Sequence, residues 1–253
     1  MVIPVSILIT VRDRESTIDR CIESALNQTF KDFELIILDD GSTDGTPDRI
    51  RKWMRKDKRI EFVQYPKLGR YRAITVAQEM ANGDYCLWLD SDDYLHPECI
   101  SKMYYYLQDH EEVASVYANH VSIDIGDNKK RTKKKGKKYL EVANKDLLSY
   151  FICLHPFMYS RSIARFCWMN KDLTAALDYD LVLRFNDEFP IGYVDEELYY
   201  YSEAPTGRMS NDKRHQQMCA QIAQLSALSR RGIKGYTINM TNQLIQLNGK
   251  KVQ

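Results

Sequence analysis

The chain has 253 residues, 44% hydrophobic and 28% charged, with a formal net charge of +1. These values are typical of a globular protein with a buried core, and the balanced charge excludes a chain that is basic throughout and binds nucleic acid. No apolar run approaches the roughly 20 residues of a membrane span, and the N-terminus lacks the pattern of a signal peptide. The six cysteines are scattered without a Cys-x-x-Cys pair, which predicts reduced thiols in a cytoplasmic protein.

Residues 5–89 alternate between patterns typical of buried strands and of amphipathic helices. Mostly apolar runs predict strands over residues 5–11, 33–38, 60–65 and 85–89. Between them we predict three helices: one with Ser16 as N-cap and Asp19 at the third position, one from Thr46-Pro47 to about Lys56, and one over residues 70–80. This alternation predicts a parallel sheet joined by right-handed crossovers.

The second half of the chain is less regular. Here we predict a helix over residues 97–107, paired strands over 115–119 and 121–125, a tyrosine-rich strand that includes 199–201, and an amphipathic helix over about 212–230. This mixture predicts an α+β portion that follows the parallel half.

Acidic residues follow two of the predicted strands at the point where each strand ends. Asp39 and Asp40 end the second strand, and Asp90, Asp92 and Asp93 follow the fourth. In open α/β sheets, ligands bind outside the carboxyl ends of the strands. Carboxylates this close repel one another unless a cation lies between them, and a hard divalent cation prefers oxygen ligands. The alternative interpretation is an acidic turn or a helix N-cap.

Three segments resemble the family 2 glycosyltransferases of the GT-A fold. They are Val-Ser-Ile-Leu-Ile-Thr-Val at 5–11, the segment at 24–46 that ends in Leu-Asp-Asp-Gly-Ser-Thr-Asp-Gly-Thr, and Ala-Asn-Gly-Asp-Tyr-Cys-Leu-Trp-Leu-Asp-Ser-Asp-Asp at 81–93. The resemblance implies an α/β fold with a mostly parallel, Rossmann-like central sheet flanked by helices. It also implies one catalytic domain over 1–210, with a nucleotide-binding half at 1–95 and an acceptor-binding half at 96–210, followed by a helical extension at 211–253.

The resemblance also assigns roles to the residues that match the family's motifs. Thr10 and Asp40 would contact the nucleotide base. Asp90 and Asp92 form the Asp-x-Asp (DXD) pair, with Asp93 beside it, and would bind the ribose and a metal–diphosphate group. The implied cofactor is Mn²⁺ or Mg²⁺, held by Asp92 with help from Asp90.

Three arginines are further candidates for binding the donor. Arg12 lies two residues after the first-strand threonine, and its guanidinium plane is suited to stacking on a base; a solvated loop charge is the alternative. The Gly-Arg-Tyr-Arg-Ala sequence at 69–73 matches the family's Gly-x-x-x-Ala-Arg-Asn segment only approximately. Arg70 and Arg72 are both placed to offset the charge of a diphosphate, and one of them is favoured over both.

A second chemical signal is the sequence Asp178-Tyr-Asp-Leu, with Arg184 six residues after Asp178. It resembles the family's Glu-Asp-Tyr-Asp-Leu-x-x-Arg segment, although Leu177 replaces the glutamate. In inverting members this aspartate is the general base, so the resemblance implies that role for Asp178. The alternative is a plain N-cap of the helix that follows. We expect Asp180 in an outward or structural position. We expect His155 as a packed loop residue, with contact to the acceptor as the alternative.

The implied reaction moves one sugar from a UDP- or dTDP-linked donor to a hydroxyl group of a glycan or lipid-linked acceptor in cell-surface polysaccharide biosynthesis. The Gln-x-x-Arg-Trp motif of polymerising members does not occur, which favours a non-processive enzyme. Arg208 is a weaker candidate for closing on the diphosphate. The final helix either packs on the core or forms a homodimer.

The run at 129–138 holds eight positive charges. It is either a solvated loop or a contact to an anionic acceptor or to the inner face of a membrane, with the enzyme peripheral to that membrane. Because the run has no aromatic residues for stacking on bases, it does not indicate nucleic acid.

Other functions fit parts of the pattern. A sugar-phosphate nucleotidyltransferase would need a glycine-rich basic loop after the first strand, where this chain has Arg-Asp-Arg-Glu-Ser. A haloacid-type phosphatase would have its acidic motif after the first strand rather than the fourth. A catalytically degenerate nucleotide-sugar-binding protein stays open because Leu177 replaces the usual glutamate and segment 69–75 is irregular.

Overall fold

The computed structural model describes residues 3–124, 129–131, 155–203, 213–234, 236–239, 244–247 and 250–251. The helices are α1 (Ile18–Leu26), α2 (Thr46–Met54), α3 (Arg70–Met80), α4 (Cys99–Asp109), α5 (Arg161–Ala164), α6 (Leu177–Glu188) and α7 (Lys213–Arg230). The strands are β1 (Val5–Val11), β2 (Phe33–Asp40), β3 (Ile60–Tyr65), β4 (Tyr85–Trp88), β5 (Tyr94–Leu95), β6 (Ser115–Asp124), β7 (Lys129–Arg131), β8 (Phe157–Ser160), β9 (Ile191–Glu203), β10 (Tyr236–Asn239), β11 (Leu244–Leu247) and β12 (Lys250–Lys251).

Four parallel strands form the first half of the central sheet, in the order β3-β2-β1-β4. The register aligns Thr10 with Leu38 and Leu8 with Trp88, so the carboxyl ends of these strands meet at one edge. The chain first adds β2 and β3 on one side of β1 and then returns to add β4 on the other. The carboxyl ends of β1 and β4 therefore flank a topological switch point, where open α/β sheets bind ligands.

The second half of the sheet is mixed rather than parallel. β8 pairs antiparallel with both β4 and β6, β9 pairs parallel with β6, and β5 pairs antiparallel with β9. The predicted pair of strands over 115–119 and 121–125 is wrong, because this segment is the single strand β6. Its register against β9 shifts on either side of Asn119, so the irregularity is a bulge in one strand and not a turn between two.

Alternate residues of β1 enter two apolar cores, one on each face of the sheet. Leu8 packs in a core with Ala73 and Ala77 of α3 and with residues of α6 and α7. Ile7 and Ile9 pack on the other face with residues of α1 and α4. Because β1 and β2 are buried on both faces, their sequences read as nearly continuous apolar runs.

The start of α1 differs from the predicted capping box. The residue before the helix is Thr17 rather than Ser16, and its side chain does not cap the helix. The Thr17 hydroxyl donates instead to the carbonyl oxygen of Ser91 at 3.0 Å. Asp19 accepts hydrogen bonds from Arg49 and Trp53 of α2. The Thr17 contact holds the loop after β4 against the start of α1, and the Asp19 contacts hold α2 against α1.

Beyond residue 210 the described part of the chain contains more than a helix. α7 is followed by β10, β11 and β12, which form an antiparallel sheet of their own. Among the described residues of the extension predicted as helical, Lys213–Arg230 form a helix and three short strands follow it. No helix among the described residues is both long and apolar enough to cross a membrane.

Candidate active site

A cavity of about 300 Å³ opens at the switch point between β1 and β4. Its lining comes from the strand ends, the loops that follow them and the start of α3: Thr10, Val11, Arg12, Arg14, Asp40, Lys67, Gly69, Arg70, Ala73, Asp90, Ser91 and Asp92. Six of the predicted donor-binding residues, Thr10, Arg12, Asp40, Arg70, Asp90 and Asp92, therefore share one cavity.

The two acidic residues that end β2, Asp39 and Asp40, have different roles. Asp39 is fully buried and accepts hydrogen bonds from the backbone N–H and the hydroxyl group of Ser42, which fixes the turn after β2. Asp40 lines the cavity and accepts hydrogen bonds from the backbone N–H groups of Leu68, at 2.5 Å, and Gly69, at 3.2 Å. Gly69 has φ of 88°, which favours glycine. Asp40 thereby fixes the start of α3 at the cavity.

The loop after β1 is held against the loop after β2. The backbone N–H of Asp13 donates to the hydroxyl oxygen of Ser42 at 2.9 Å, and a carboxylate oxygen of Asp13 accepts from the backbone N–H of Thr43 at 2.8 Å. Asp13 has φ of 50°, so the chain turns sharply here. These contacts place the side chains of Arg12 and Arg14 on the wall of the cavity.

Each carboxylate of the Asp-x-Asp pair faces an arginine. Arg70 Nη2 lies 3.5 Å from Asp90 Oδ1, and Arg14 Nε lies 3.3 Å from Asp92 Oδ2. The two aspartate side chains are 32% and 38% exposed, so both are accessible from the cavity. Sequence reasoning missed Arg14 because no motif marks it; its only signal is a positive charge shortly after the strand that ends beside the acidic loop.

The chemistry of Asp90 and Asp92 fits a divalent cation. Burial raises the pKa of Asp92, and the nearby charge of Asp90 raises it further, while Arg14 acts in the opposite direction. A cation between the carboxylates would remove this repulsion, and carboxylate oxygens suit Mg²⁺ and Mn²⁺. The described residues form no group of three or more acidic, histidine or cysteine side chains arranged for a metal.

Three predicted site residues, Asp93, Arg72 and Asp178, are not among the residues that line the cavity. Asp93 is 1% exposed, and its carboxylate accepts hydrogen bonds from the Tyr199 hydroxyl at 2.7 Å and the Ser202 backbone N–H at 2.8 Å. Burial raises the pKa of Asp93, with a further contribution from Asp90. Asp93 therefore anchors the loop after β4 to β9. Arg72 is exposed on α3 and does not line the cavity.

Asp178 lies in the first turn of α6, and its carboxylate faces a histidine. The residue before the helix is Ala176, with φ of 53°, so the alternative prediction of Asp178 as N-cap is wrong. Asp178 Oδ2 lies 3.5 Å from His155 Nε2, with the two side chains 25% and 5% exposed. His155 is thus packed, as predicted, and its ring contacts the carboxylate of the predicted general base.

The charges around this pair decide its protonation. Burial alone would raise the pKa of Asp178, but the hydrogen bond and charge of His155, together with Arg70, lower it. Burial alone would lower the pKa of His155, but Asp178, Asp90 and Asp93 raise it to about 9. At neutral pH the pair is therefore a carboxylate beside an imidazolium, within electrostatic reach of the arginine that faces Asp90.

Asp180 has the structural role that the sequence predicted. It is fully buried and accepts hydrogen bonds from the backbone N–H of Asn170 at 2.6 Å and from Arg184 Nε at 2.8 Å. Leu177, which stands where the family has glutamate, is 1% exposed and packs in the core. Arg208 and residues 132–138 of the basic run lie outside the described residues.

Open α/β sheets bind ligands, nucleotides among them, at the switch point, which in this chain carries acidic side chains. Residues 6–168 match the family model described as Glycosyl transferase family 2. Since this match covers more than half of the chain, the protein belongs to that family and is a glycosyltransferase. The family predicted from the sequence is confirmed.

Two relatives illustrate how far the similarity extends. The chain is 31% identical over 200 residues to the chondroitin synthase of Escherichia coli, which covers 77% of this chain and 28% of the relative. It is 30% identical over 196 residues to the hyaluronan synthase of Pasteurella multocida, covering 77% of this chain and 20% of that protein. The chain thus spans less than a third of the length of these relatives.

Solved structures confirm the GT-A fold. Residues 1–349 of Staphylococcus aureus TarS in complex with UDP-GlcNAc superpose with a TM-score of 0.72 at 18% identity, covering 89% of this chain and 66% of that one. The mannosyltransferase PcManGT from Pyrobaculum calidifontis, in complex with GDP-Man and Mn²⁺, gives 0.68 at 15% identity, covering 91% and 64%.

Proposed function

We propose that this glycosyltransferase transfers one sugar from a nucleotide sugar to an acceptor hydroxyl group, depends on a divalent metal, and inverts the anomeric carbon. The observation that carries the proposal is the convergence of Asp40, Asp90 and Asp92 on one cavity, with Asp178 in electrostatic reach of Arg70 beside them. The nucleotide sugars bound by structural neighbours support this class of donor.

The donor would lie along the cavity from β1 to the start of α3. Thr10 and Asp40 would contact the base, and the Arg12 side chain, which is 42% exposed, would stack on it. Arg14 and Arg70 are placed to offset the negative charge of the diphosphate, because both guanidinium groups line the same wall as the Asp-x-Asp pair. UDP is the nucleotide we favour, with dTDP as the alternative.

Asp92 and Asp90 would hold Mn²⁺ or Mg²⁺. When bound, such an ion supplies positive charge that stabilises the departing diphosphate. The Mn²⁺ in the PcManGT complex supports this part of the proposal.

Asp178 is the proposed general base. Its carboxylate would accept the proton of the acceptor hydroxyl group as the hydroxyl oxygen attacks the anomeric carbon. The bond from that carbon to the diphosphate oxygen breaks, and the nucleoside diphosphate leaves with the electron pair. Attack from the side opposite the leaving group inverts the configuration. The lowered pKa of Asp178 supports this role, because a base must be unprotonated at the working pH.

For the acceptor we propose a glycan or a lipid-linked glycan in the biosynthesis of cell-surface polysaccharide. The names chondroitin synthase and hyaluronan synthase among the relatives support a polysaccharide setting. A cytoplasmic location, peripheral at the membrane, is also our proposal; the five described cysteines are buried and unpaired, as this location requires.

A thermal-shift panel tests the donor site. UDP, UDP-GlcNAc, dTDP-glucose and GDP-mannose are each added with and without Mn²⁺. A ligand that binds only the folded protein stabilises it by about 2.7 kcal/mol at 100 times its dissociation constant. We expect a shift with a uridine nucleotide that requires Mn²⁺ and is absent in Asp92→Asn. No shift with any nucleotide would contradict the proposal, and Mn²⁺-dependent release of UDP would exclude a degenerate binder.

A further inference from the structure

His155 is a buried histidine beside a group with proposed chemistry, and no role has been assigned to it. It lies directly before β8, with Nε2 3.5 Å from Asp178 Oδ2. Its side chain is only 5% exposed, whereas that of Asp178 is 25% exposed and can meet an acceptor. One oxygen of the Asp178 carboxylate therefore faces the protein interior.

The ring of His155 is in turn fixed by a tyrosine that contacts the acidic loop after β4. His155 stacks on Tyr199 with ring centroids 5.6 Å apart and an interplanar angle of 25°. The Tyr199 hydroxyl donates to Asp93 Oδ2 at 2.7 Å and accepts from the backbone N–H of Asp90 at 3.3 Å. A continuous series of contacts thus runs from Asp178 through His155 and Tyr199 to the backbone of the Asp-x-Asp pair.

We propose that His155 is a positioning residue that holds the carboxylate of Asp178 in register with the donor-binding loop. This inference rests on the proposed function, in which Asp178 is the base. His155 Nε2–H binds one carboxylate oxygen and leaves the other to accept the acceptor proton. Because Tyr199 contacts both His155 and Asp90, the base and the donor carboxylates are set by one packed unit. A base displaced by about 1 Å costs on the order of 100-fold in rate.

The contacts distinguish this role from simple packing. His155 and Asp178 come from different parts of the chain, and Asp178 is 25% exposed and within electrostatic reach of Arg70, which lines the cavity. The charge of His155 also lowers the pKa of Asp178, which keeps the carboxylate in the form that accepts a proton. A histidine that merely filled space would affect stability but not the pH dependence of turnover.

The test compares His155→Gln, which retains an N–H near Nε2, with His155→Leu, which fills similar space without a donor. The assay is Mn²⁺-dependent release of UDP from UDP-GlcNAc and from UDP-glucuronic acid. We expect kcat of His155→Leu to fall by about 100-fold, with the donor KM changed by less than about 3-fold. The rise of kcat with pH, which follows the loss of the Asp178 proton, should move to higher pH because His155 no longer lowers the pKa of Asp178. His155→Gln should recover most of the loss.

His110→Leu is the matched control, since His110 also stacks on a tyrosine, Tyr106, with centroids 4.1 Å apart, but follows the last residue of α4 and does not line the cavity. We expect wild-type kinetics from this variant. Equal kcat in His155→Leu and wild type, or an equal loss in His155→Leu and His155→Gln, would overturn the proposal.

A second measurement does not depend on the choice of donor. In protein with ¹⁵N-labelled histidine, NMR titration should show that the imidazole pKa of His155 falls in Asp178→Asn. An unchanged pKa would overturn the pairing even if no donor turned over. Failure of the proposed function would appear differently: Asp178→Asn would be fully active, although the imidazole pKa of His155 still fell in that variant.

Discussion

Arg70 Nη2 lies 3.5 Å from Asp90 Oδ1, and the charge of the same guanidinium group acts on Asp178. Burial alone would lower the pKa of Arg70, but Asp90 and Asp178, together with Asp92 and Tyr199, outweigh it and raise the pKa. Arg70 therefore keeps its charge and links the acidic loop after β4 with the proposed base on α6. A diphosphate in the cavity would meet this charge together with that of Arg14.

Arg70→Gln tests that role, with Arg72→Gln as its matched control two residues along the same helix. We expect Arg70→Gln to weaken UDP binding in the presence of Mn²⁺ by about 10-fold or more, because a hydrogen bond to a charged group contributes about 1.5–3 kcal/mol. Arg72 lies outside the cavity, so its variant should bind UDP like wild type. Isothermal titration calorimetry measures both, and an equal loss in the two variants would contradict the assignment.

Asp92→Asn removes one charge from the proposed metal site without changing its shape. We expect turnover to fall by about 100-fold or more, because the metal would contribute several kcal/mol of charge stabilisation. The melting temperature should not fall, since the Asp92 carboxylate is 38% exposed and its pKa is raised by burial and by Asp90. Asp84→Asn, an exposed carboxylate at the other end of β4, is the control. Full activity of Asp92→Asn with Mn²⁺ would remove this metal ligand.

The parallel half of the fold was predictable because its signals are local. Buried strands such as β1 and β2 read as apolar runs, and the turns after them are rich in Asp and Gly. The second half of the fold was less predictable from the sequence. The β6 bulge at Asn119 depends on β9, which lies about 75 residues away in sequence, and no local pattern reports that pairing.

The same contrast holds for the site. Thr10 and Asp40 lie at the carboxyl ends of β1 and β2, and Asp90 and Asp92 follow β4. The order of these strands places all four at one edge, so the sequence predicted that they meet. Motif adjacency also placed Asp93 in the site, but it faces β9 instead. The contacts of Arg14 with Asp92 and of His155 with Asp178 join distant segments, and nothing in the neighbouring sequence marks either contact.

Asp178→Asn tests the proposed general base. Asparagine keeps the size of the side chain but cannot take up a proton, so kcat should fall by about 100- to 10,000-fold. UDP binding should be unchanged, because the base acts on the acceptor. Asp172→Asn, on the exposed loop before α6, is the control. Turnover is measured as UDP release, and a fully active Asp178→Asn enzyme would remove the base assignment.

Gly83→Ala tests the packing that fixes β4 beside β1. A Cβ atom at this position would lie 2.6 Å from the backbone nitrogen of Ser6, where no real contact is found. The Gly83 backbone N–H also donates to the Ser6 hydroxyl at 2.9 Å. We expect a loss of about 1–3 kcal/mol in the free energy of unfolding, or more. Gly232→Ala, where space is open but φ is 63°, should cost about 1–2 kcal/mol. Urea denaturation compares the two.

The His155–Asp178 pair predicts how stability depends on pH. Burial alone would lower the pKa of His155, but Asp178, Asp90 and Asp93 raise it from the ordinary 6.5 to about 9. The folded state therefore binds this proton more tightly than the unfolded state. Its stabilising effect is complete below about pH 6.5, decreases as the pH rises and is lost above about 9. Its size is at most about 3–4 kcal/mol, since the rise is from 6.5 to about 9 and one unit of pKa corresponds to about 1.36 kcal/mol.

The measurement is urea denaturation of the metal-free protein between pH 6 and 10, for wild type and for His155→Leu. EDTA is required because a cation at Asp90 would weaken one of the charges that raise the pKa of His155. Tyr199, which stacks on His155, also has its pKa raised by burial and stays neutral across this range. We expect the difference in unfolding free energy between the two proteins to shrink as the pH rises through about 9. Parallel curves over the whole range would show that His155 carries no proton in the folded state.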